Sequence, residues 1–316
     1  GLRLFPFPPY TPKRGEVKYI DRPTEVAGWI IAVLLTGKQI SNYPSLAKKR
    51  IIAAIRAAER LGAEIVGLGA LTSSTTKGGQ CIVDKVNVSL TNGNAFTAGA
   101  TVQAVERIAT IKGWDLETTP VAIVGATGSV GSTISMLLAE KDVPLLMVAR
   151  NEPSLNGLVS KIPKGSISTD LMDLRQANIV VVATSANETI IKPEHLKKGA
   201  VVYDDTQPRN THPSLIQARP YITVIDGGVI EVPGADFRLN IGLRRHQVYA
   251  CLAETMLLAL EEMTETHYSI GHPTIEQAKE MMRLAQKYGQ YGFQLAPFHS
   301  FGKPLEIVSS QLALTV

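Results

Sequence analysis

Cysteine is scarce in this chain of 316 residues: Cys81 and Cys251 are the only two, and neither stands in a CxxC. Two thiols make no disulfide framework, so the expected compartment is reducing cytoplasm. An excess of one charge is also missing. The 32 Lys and Arg against 28 Asp and Glu leave +4, too little to argue for nucleic acid. Long apolar runs are absent as well. The longest candidate, residues 26–35, is about half the roughly 18 uncharged residues that span a bilayer, and it reads as a buried strand. No basic start with an apolar run and a small-residue cleavage site is visible, so secretion is not expected. The six histidines (His195, His212, His246, His267, His272 and His299) form no HExxH or other ligand spacing, so no metal is expected. What is present is apolar: 45% hydrophobic residues against 19% charged. That composition supplies a large core, excludes disorder, and at roughly 150 residues per domain fits about two domains.

The first 25 residues are proline-rich, and residues 5–10 read as an extended arm. A strand at 26–35 leads to a turn at Thr36-Gly37-Lys38. A helix from Pro44 to about Leu61 follows, closed by Gly62. Its apolar residues recur at helical spacing, while Lys48, Lys49, Arg50, Arg56 and Arg60 decorate the rest. Short strands at 64–69 and 86–90 precede the polar loop Thr91-Asn92-Gly93-Asn94 and a helix to about Lys112. From Thr118 a second unit begins, with apolar runs at 121–124, 144–149, 179–183, 200–203 and 222–225 separated by helical or turn segments. Strands alternating with helices imply an α/β fold, a Rossmann-type doubly wound parallel sheet. Long helices are expected at 243–265 and 274–288. The expected domains are 1–116 for substrate, 117–242 for the dinucleotide, and 243–316 as helices that carry Cys251 and complete the split substrate domain.

The glycine loop Gly125-Ala-Thr127-Gly128-Ser129-Val130-Gly131 lies between an apolar strand and a helix. Glycines there let backbone approach a pyrophosphate, and the helix N-terminus offers free N–H groups to the anion. With strand before, helix after and further strands downstream, the context is that of dinucleotide binding. An NAD-preferring site places Asp or Glu at the end of the second strand; this chain has Arg150 and Asn151 there, 25 residues after Gly125. A guanidinium suits a 2′-phosphate, so NADPH is the expected cofactor. Thr184, Ser185 and the small residues to Asn187 leave room for a nicotinamide, and Gly227 and Gly228 suggest a second close approach of backbone to cofactor.

No Tyr-xxx-Lys pair lies downstream of the loop, which disfavours a short-chain dehydrogenase. At helical spacing Arg244, Gln247, Cys251 and Glu254 share a face, polar company for a thiol. Glu254 would raise its pKa and Arg244 oppose that. The local sequence leaves both a nucleophile and a small buried helix residue open for Cys251.

Six blocks in order resemble the cyanobacterial long-chain acyl-[acyl-carrier-protein] reductases: the stretches around Leu68–Ser73, Leu90–Ala98 (with Asn94 and Thr97), Val124–Gly128, Ala149–Asn151, Asp226–Glu231 and Ala250–Glu254. The likeness covers about residues 30–293. It implies that Cys251 carries the acyl group, that NADPH is the cofactor, and that a fatty acyl thioester is reduced to an aldehyde through an acyl-enzyme. It also implies acyl carrier protein or acyl-CoA as donor, Asn94, Thr97, Gln247 and Glu254 around the substrate, and an aldehyde-consuming partner enzyme. The basic helix 48–60 is a candidate dock for the acidic carrier. The chain departs from the family in carrying Phe96 where a His is usual, and in composition over 232–244. A shikimate-dehydrogenase-like enzyme transferring hydride directly, with Asp84 paired to Lys77 or Lys85, and a non-catalytic NADPH sensor are the competing readings. Glutamyl-tRNA reductase is a further variant of that architecture, with its nucleophile in the amino-terminal domain.

Overall fold

The computed structural model describes residues 15–18, 24–186, 188–218, 221–237 and 240–305; the amino-terminal arm and Asn187 lie outside them. The chain forms two compact units. The first takes in the described residues up to Gly93 with Ile230–Gly271 and Arg283–Gln294; the second takes in Asn94–Val229, His272–Met282 and the described residues from Leu295 onward. The helix after Gly93 thus belongs to the second unit, whereas the sequence places the first domain's end near residue 116.

The first unit opens with β1 (Gly15–Lys18) and β2 (Thr24–Gly28), antiparallel partners. The strand expected at 26–35 ends at Gly28, and Thr36 begins a helix rather than a turn. Its side chain accepts from Gln39 N–H while Gln39 accepts from Thr36 N–H, a capping box on α1 (Gly37–Asn42). α2 (Pro44–Arg60) starts on a proline whose missing N–H costs nothing at that position. Gly62 ends it at φ +85°. α2 buries Ile51 and Ile55 against Leu68, Ile82, Val88 and Leu90, each such side chain contributing about 1.5–3 kcal/mol. Next come β3 (Ile65–Gly67), α3 (Leu71–Thr75) and β4 (Ser89–Thr91), with β3 and β4 parallel.

The second unit begins with α4 (Asn94–Lys112), apolar nearly all round and buried along most of its length. Then follow β5 (Val121–Val124), α5 (Ser129–Ala139), β6 (Leu145–Val148), α6 (Glu152–Val159), β7 (Gly165–Ser168), β8 (Ile179–Val182), β9 (Val201–Asp204), α7 (Ser214–Ala218) and β10 (Thr223–Asp226). The six strands are parallel in the order β7-β6-β5-β8-β9-β10. This is the doubly wound Rossmann order, with its switch point between β5 and β8. β5, β6, β8 and β9 are buried at every residue, which is why they read as continuous apolar runs.

Past β11 (Val229–Glu231) and β12 (Ala235–Asp236) comes β13 (Gln247–Tyr249), then α8 (Ala250–Leu260) and α9 (Ile275–Lys287). The helix expected from 243 therefore starts seven residues later. His246, at φ +69°, interrupts it, and residues 247–249 are extended. Among the described residues no helix is long and apolar enough to cross a membrane.

Candidate active site

In the second unit the glycine loop turns from β5 into α5. Gly125 sits at φ +85°, and its N–H bonds Val148 O at 2.8 Å. A Cβ on it would overlap Ala183 O, and one on Gly131 would overlap Gly125 O. Both glycines are therefore demanded by packing of the loop on itself and on the end of β8. Gly128 differs. It is exposed and is the N-cap of α5, with no side chain to occupy the helix end, so the positive end of α5 is left to an outside anion. A dinucleotide pyrophosphate fits that cradle. Ser129 accepts a hydrogen bond from Asn94 Nδ2 at 2.8 Å, tying the start of α4 to the start of α5; Thr97 lies one turn further along α4. Val130 packs on the core. Thr127, half-buried, lines a cavity of about 380 Å³ with Ser132, Ser154, Lys161 and His272.

Arg150 is exposed just past β6. Asn151 caps α6, its Oδ1 accepting from Ser154 N–H at 2.8 Å. Thr184 spends its hydroxyl on Asn210 Oδ1 at 2.5 Å and on Ala186 N–H at 3.0 Å, while Ser185 is exposed. Gly227 and Gly228 are closely approached by the protein itself. A Cβ on Gly227 would lie 2.8 Å from Asp204 O, and one on Gly228, at φ +65°, would overlap Asp205 Oδ1.

Two adjacent acids at the end of β9 carry no signal in the local sequence. Asp204, 1% exposed, accepts from the N–H and hydroxyl of Thr211 (2.9 and 2.6 Å) and from Thr206 Oγ1 (2.5 Å). Asp205 accepts from Thr101 Oγ1 of α4 at 2.9 Å. Burial pushes its carboxyl up to about 8, with the Asp204 carboxylate acting in the same direction and Thr101 opposing. Tyr203 is buried, its hydroxyl accepting from Gly228 N–H at 2.9 Å, and burial drives its pKa upward.

In the first unit Cys251, half-buried, is the second residue of α8. The backbone of Gly93, at φ +76°, lies directly against it: a Cβ at 93 would overlap Cys251 Cβ and Cα. Glu254, fully buried, accepts from the Thr91 hydroxyl and from Ser269 Oγ at 2.6 Å. Thr91 Oγ1 in turn accepts from Gly93 N–H at 3.3 Å. Asn92 joins the cluster through Ser269 (2.8 Å) and Gly271 O (3.1 Å).

The four-residue face expected around the thiol reduces to Cys251 and Glu254. Gln247 is buried in β13 and Arg244 precedes it, both before α8 begins. Cys81, the other thiol, sits in a turn whose carbonyl accepts from Lys85 Nζ at 3.0 Å. Among the described residues no ion pair joins Asp84 to Lys77 or Lys85, and no group of three His, Cys, Asp or Glu side chains could hold a metal ion.

The sequence pattern of the Shikimate / quinate 5-dehydrogenase family matches residues 107–226, within the unit that has the fold of NAD(P)-dependent oxidoreductases. Among solved structures, a dipicolinate synthase from Bacillus halodurans is similar at 13% identity, with a TM-score of 0.37 over 46% of this chain and 53% of that one. Aminotransferase PigE of Serratia sp. is 31% identical over 269 residues, 81% of this chain, which spans only 31% of that protein. The long-chain acyl-[acyl-carrier-protein] reductase of Synechococcus elongatus is 30% identical over 270 residues, 78% of this chain and 76% of the reductase. By that extended match the chain belongs to the long-chain acyl-[acyl-carrier-protein] reductase family.

Proposed function

We propose that this oxidoreductase reduces a fatty acyl thioester to the aldehyde, with Cys251 as the acyl-carrying nucleophile and NADPH as cofactor. The observation that carries the reading is the place of Cys251 in the first turn of α8, packed on Gly93. A sulfur anion there faces the positive end of the helix. Attack on the thioester carbonyl forms the Cys251 acyl bond, and the carrier thiolate departs and takes up a proton. The cofactor, when bound, supplies hydride. Collapse of the reduced adduct at Cys251 releases aldehyde and restores the thiolate.

Glu254 is too deeply buried to meet an acyl chain. It acts by holding Thr91 and Ser269, and through Thr91 the Gly93 N–H. Asn94, Thr97 and Gln247 remain proposed substrate contacts. Arg150 takes the 2′-phosphate, which favours NADPH over NADH. The acyl donor is acyl carrier protein or acyl-CoA; exposed Lys49, Arg56 and Arg60 of α2 suit the acidic carrier protein, and an aldehyde-consuming enzyme is the partner downstream. A cytoplasmic site of action belongs to the same reading. Direct hydride transfer of the shikimate-dehydrogenase kind is less well supported, because its Lys–Asp pair is not formed at Asp84.

The test follows NADPH absorbance with a long-chain acyl thioester, alongside intact mass without cofactor. Thioester-dependent oxidation and an acyl mass gain are expected, both lost in Cys251→Ala. Oxidation persisting in the variant would favour direct hydride transfer, and cofactor binding without oxidation in either protein would favour the sensor.

A further inference from the structure

Inside the second unit, the cavity of about 380 Å³ beside the glycine loop runs as a groove between α5 and α6. One wall is the loop and α5, with Thr127, Ser132 and Met136. The other is α6, with Ser154, Gly157 and Leu158 on one face, and Lys161 just past its end. No lining residue is Asp or Glu. Some of the polar groups are spent within the protein: Ser132 Oγ lies 3.2 Å from His272 Nδ1, and Thr133 donates to Ser129 O and Pro273 O. Thr127, Ser154 and Lys161 are not. Among the described residues their side chains have no hydrogen bond or ion pair, and Ser154 engages Asn151 only through its N–H. Gly157 is an independent sign that the groove is kept open. It lies inside α6, where glycine is less favourable than alanine, yet a Cβ on it would meet no atom within 4 Å. Packing does not demand this glycine; a side chain there would project into open space along the groove.

An ammonium and two uncommitted hydroxyls, with no acid opposing them, suit an anion. Its identity follows from the place of the groove. A pyrophosphate at the start of α5 lays the adenosine ribose toward the end of the second strand, β6. α6 begins two residues after Arg150, and Ser154 lies in its first turn. We propose that the groove binds the 2′-phosphate of the dinucleotide, with Lys161 as a second cation, Thr127 and Ser154 as hydroxyl donors, and Gly157 leaving the space for it. This rests on the reading of the second unit as an NADPH site and adds to the part given there to Arg150. Arg150 is a single exposed guanidinium, and an ion pair screened by solvent is worth little by itself. A phosphate monoester carries nearly two negative charges and three acceptor oxygens at neutral pH, so further donors decide how strongly it is preferred over a bare hydroxyl.

The experiment measures dissociation constants of NADPH and NADH by calorimetry on wild type, Lys161→Ala, Gly157→Met and Arg150→Ala, with melting temperatures alongside. Lys161→Ala is expected to weaken NADPH about tenfold, the loss of one charge-assisted contact, and to leave NADH unchanged. Gly157→Met should do the same by filling the groove. Its melting temperature should match or exceed that of wild type, because methionine favours the helix over glycine. NADPH bound as tightly by Lys161→Ala and Gly157→Met as by wild type, with affinity lost in Arg150→Ala, would overturn the assignment while leaving the NADPH site intact. Equal weakening of NADPH and NADH would also overturn it, since the groove would then serve the part that the two cofactors share. A wild type with no preference for NADPH over NADH would overturn the underlying reading and the assignment together.

Discussion

At Glu254 a side chain with no exposed surface accepts two hydroxyls from residues distant in sequence, Thr91 and Ser269. A buried carboxylate so supplied orders its donors, and Thr91 passes that order to the Gly93 N–H beside the thiol. Glu254→Gln keeps the shape and can leave an amide oxygen where both hydroxyls donate to Oε1, but it removes the charge that strengthens the two bonds, costing about 1–2 kcal/mol. The expected outcome is slower acylation of Cys251, read as rate of acyl mass gain, together with a lower urea midpoint. Acylation at the wild-type rate would remove Glu254 from any positioning role. Gly93→Ala is a sharper probe of the same contact, because its methyl would have to occupy the space of Cys251 at a φ that disfavours a side chain. It should abolish the acyl adduct while leaving NADPH binding in place. An adduct formed at normal rate would show that the loop gives way without consequence for the thiol.

For whole elements, the turn from β5 into α5 was readable in the sequence because strand, glycines and helix each leave a local mark. Its three glycines differ in what they tolerate. A methyl on Gly131 would be driven into the Gly125 carbonyl, and separating helix from loop is an overpacking change of about 1–3 kcal/mol. Gly131→Ala should weaken NADPH binding and lower the melting temperature together; unchanged affinity by calorimetry would show that the loop need not be so tightly drawn. Other elements left weaker marks. β7, Gly-Ser-Ile-Ser at the sheet edge, is only partly buried, so it has no apolar run to betray it. The segment before α8 has apolar spacing that a helix could use. The left-handed His246 and the extended residues 247–249 override it and set the start of α8 so that Cys251 falls in its first turn. Asp204 and Asp205 were illegible for a different reason: their partners, Thr211 and Thr101, are seven and 104 residues away, and no spacing rule connects them.

Across the molecule, chain order and spatial order diverge: each unit is assembled from three separate stretches, because packing, not contiguity, decides which helix covers which core. Within the second unit the end of β9 links the stability of the fold to proton binding. Asp205 has a folded-state pKa near 8 against an ordinary 3.8. Between those values the folded chain holds a proton that the unfolded chain has released, so stability falls as pH rises through that window. His195 acts oppositely. Burial lowers its pKa below 6.5, so the unfolded chain binds the extra proton and stability gains as pH rises toward 6.5. Comparing wild type with Asp205→Asn cancels His195 and every other group common to both. The melting temperature of the variant minus that of wild type should grow steadily from pH 5 to pH 8 and level off above it, whatever constant offset the amide introduces. A difference independent of pH would mean that Asp205 ionises in the folded chain as it does in the unfolded one. The burial imposed by Thr101, Tyr203 and Gly228 would then not be what governs this carboxyl.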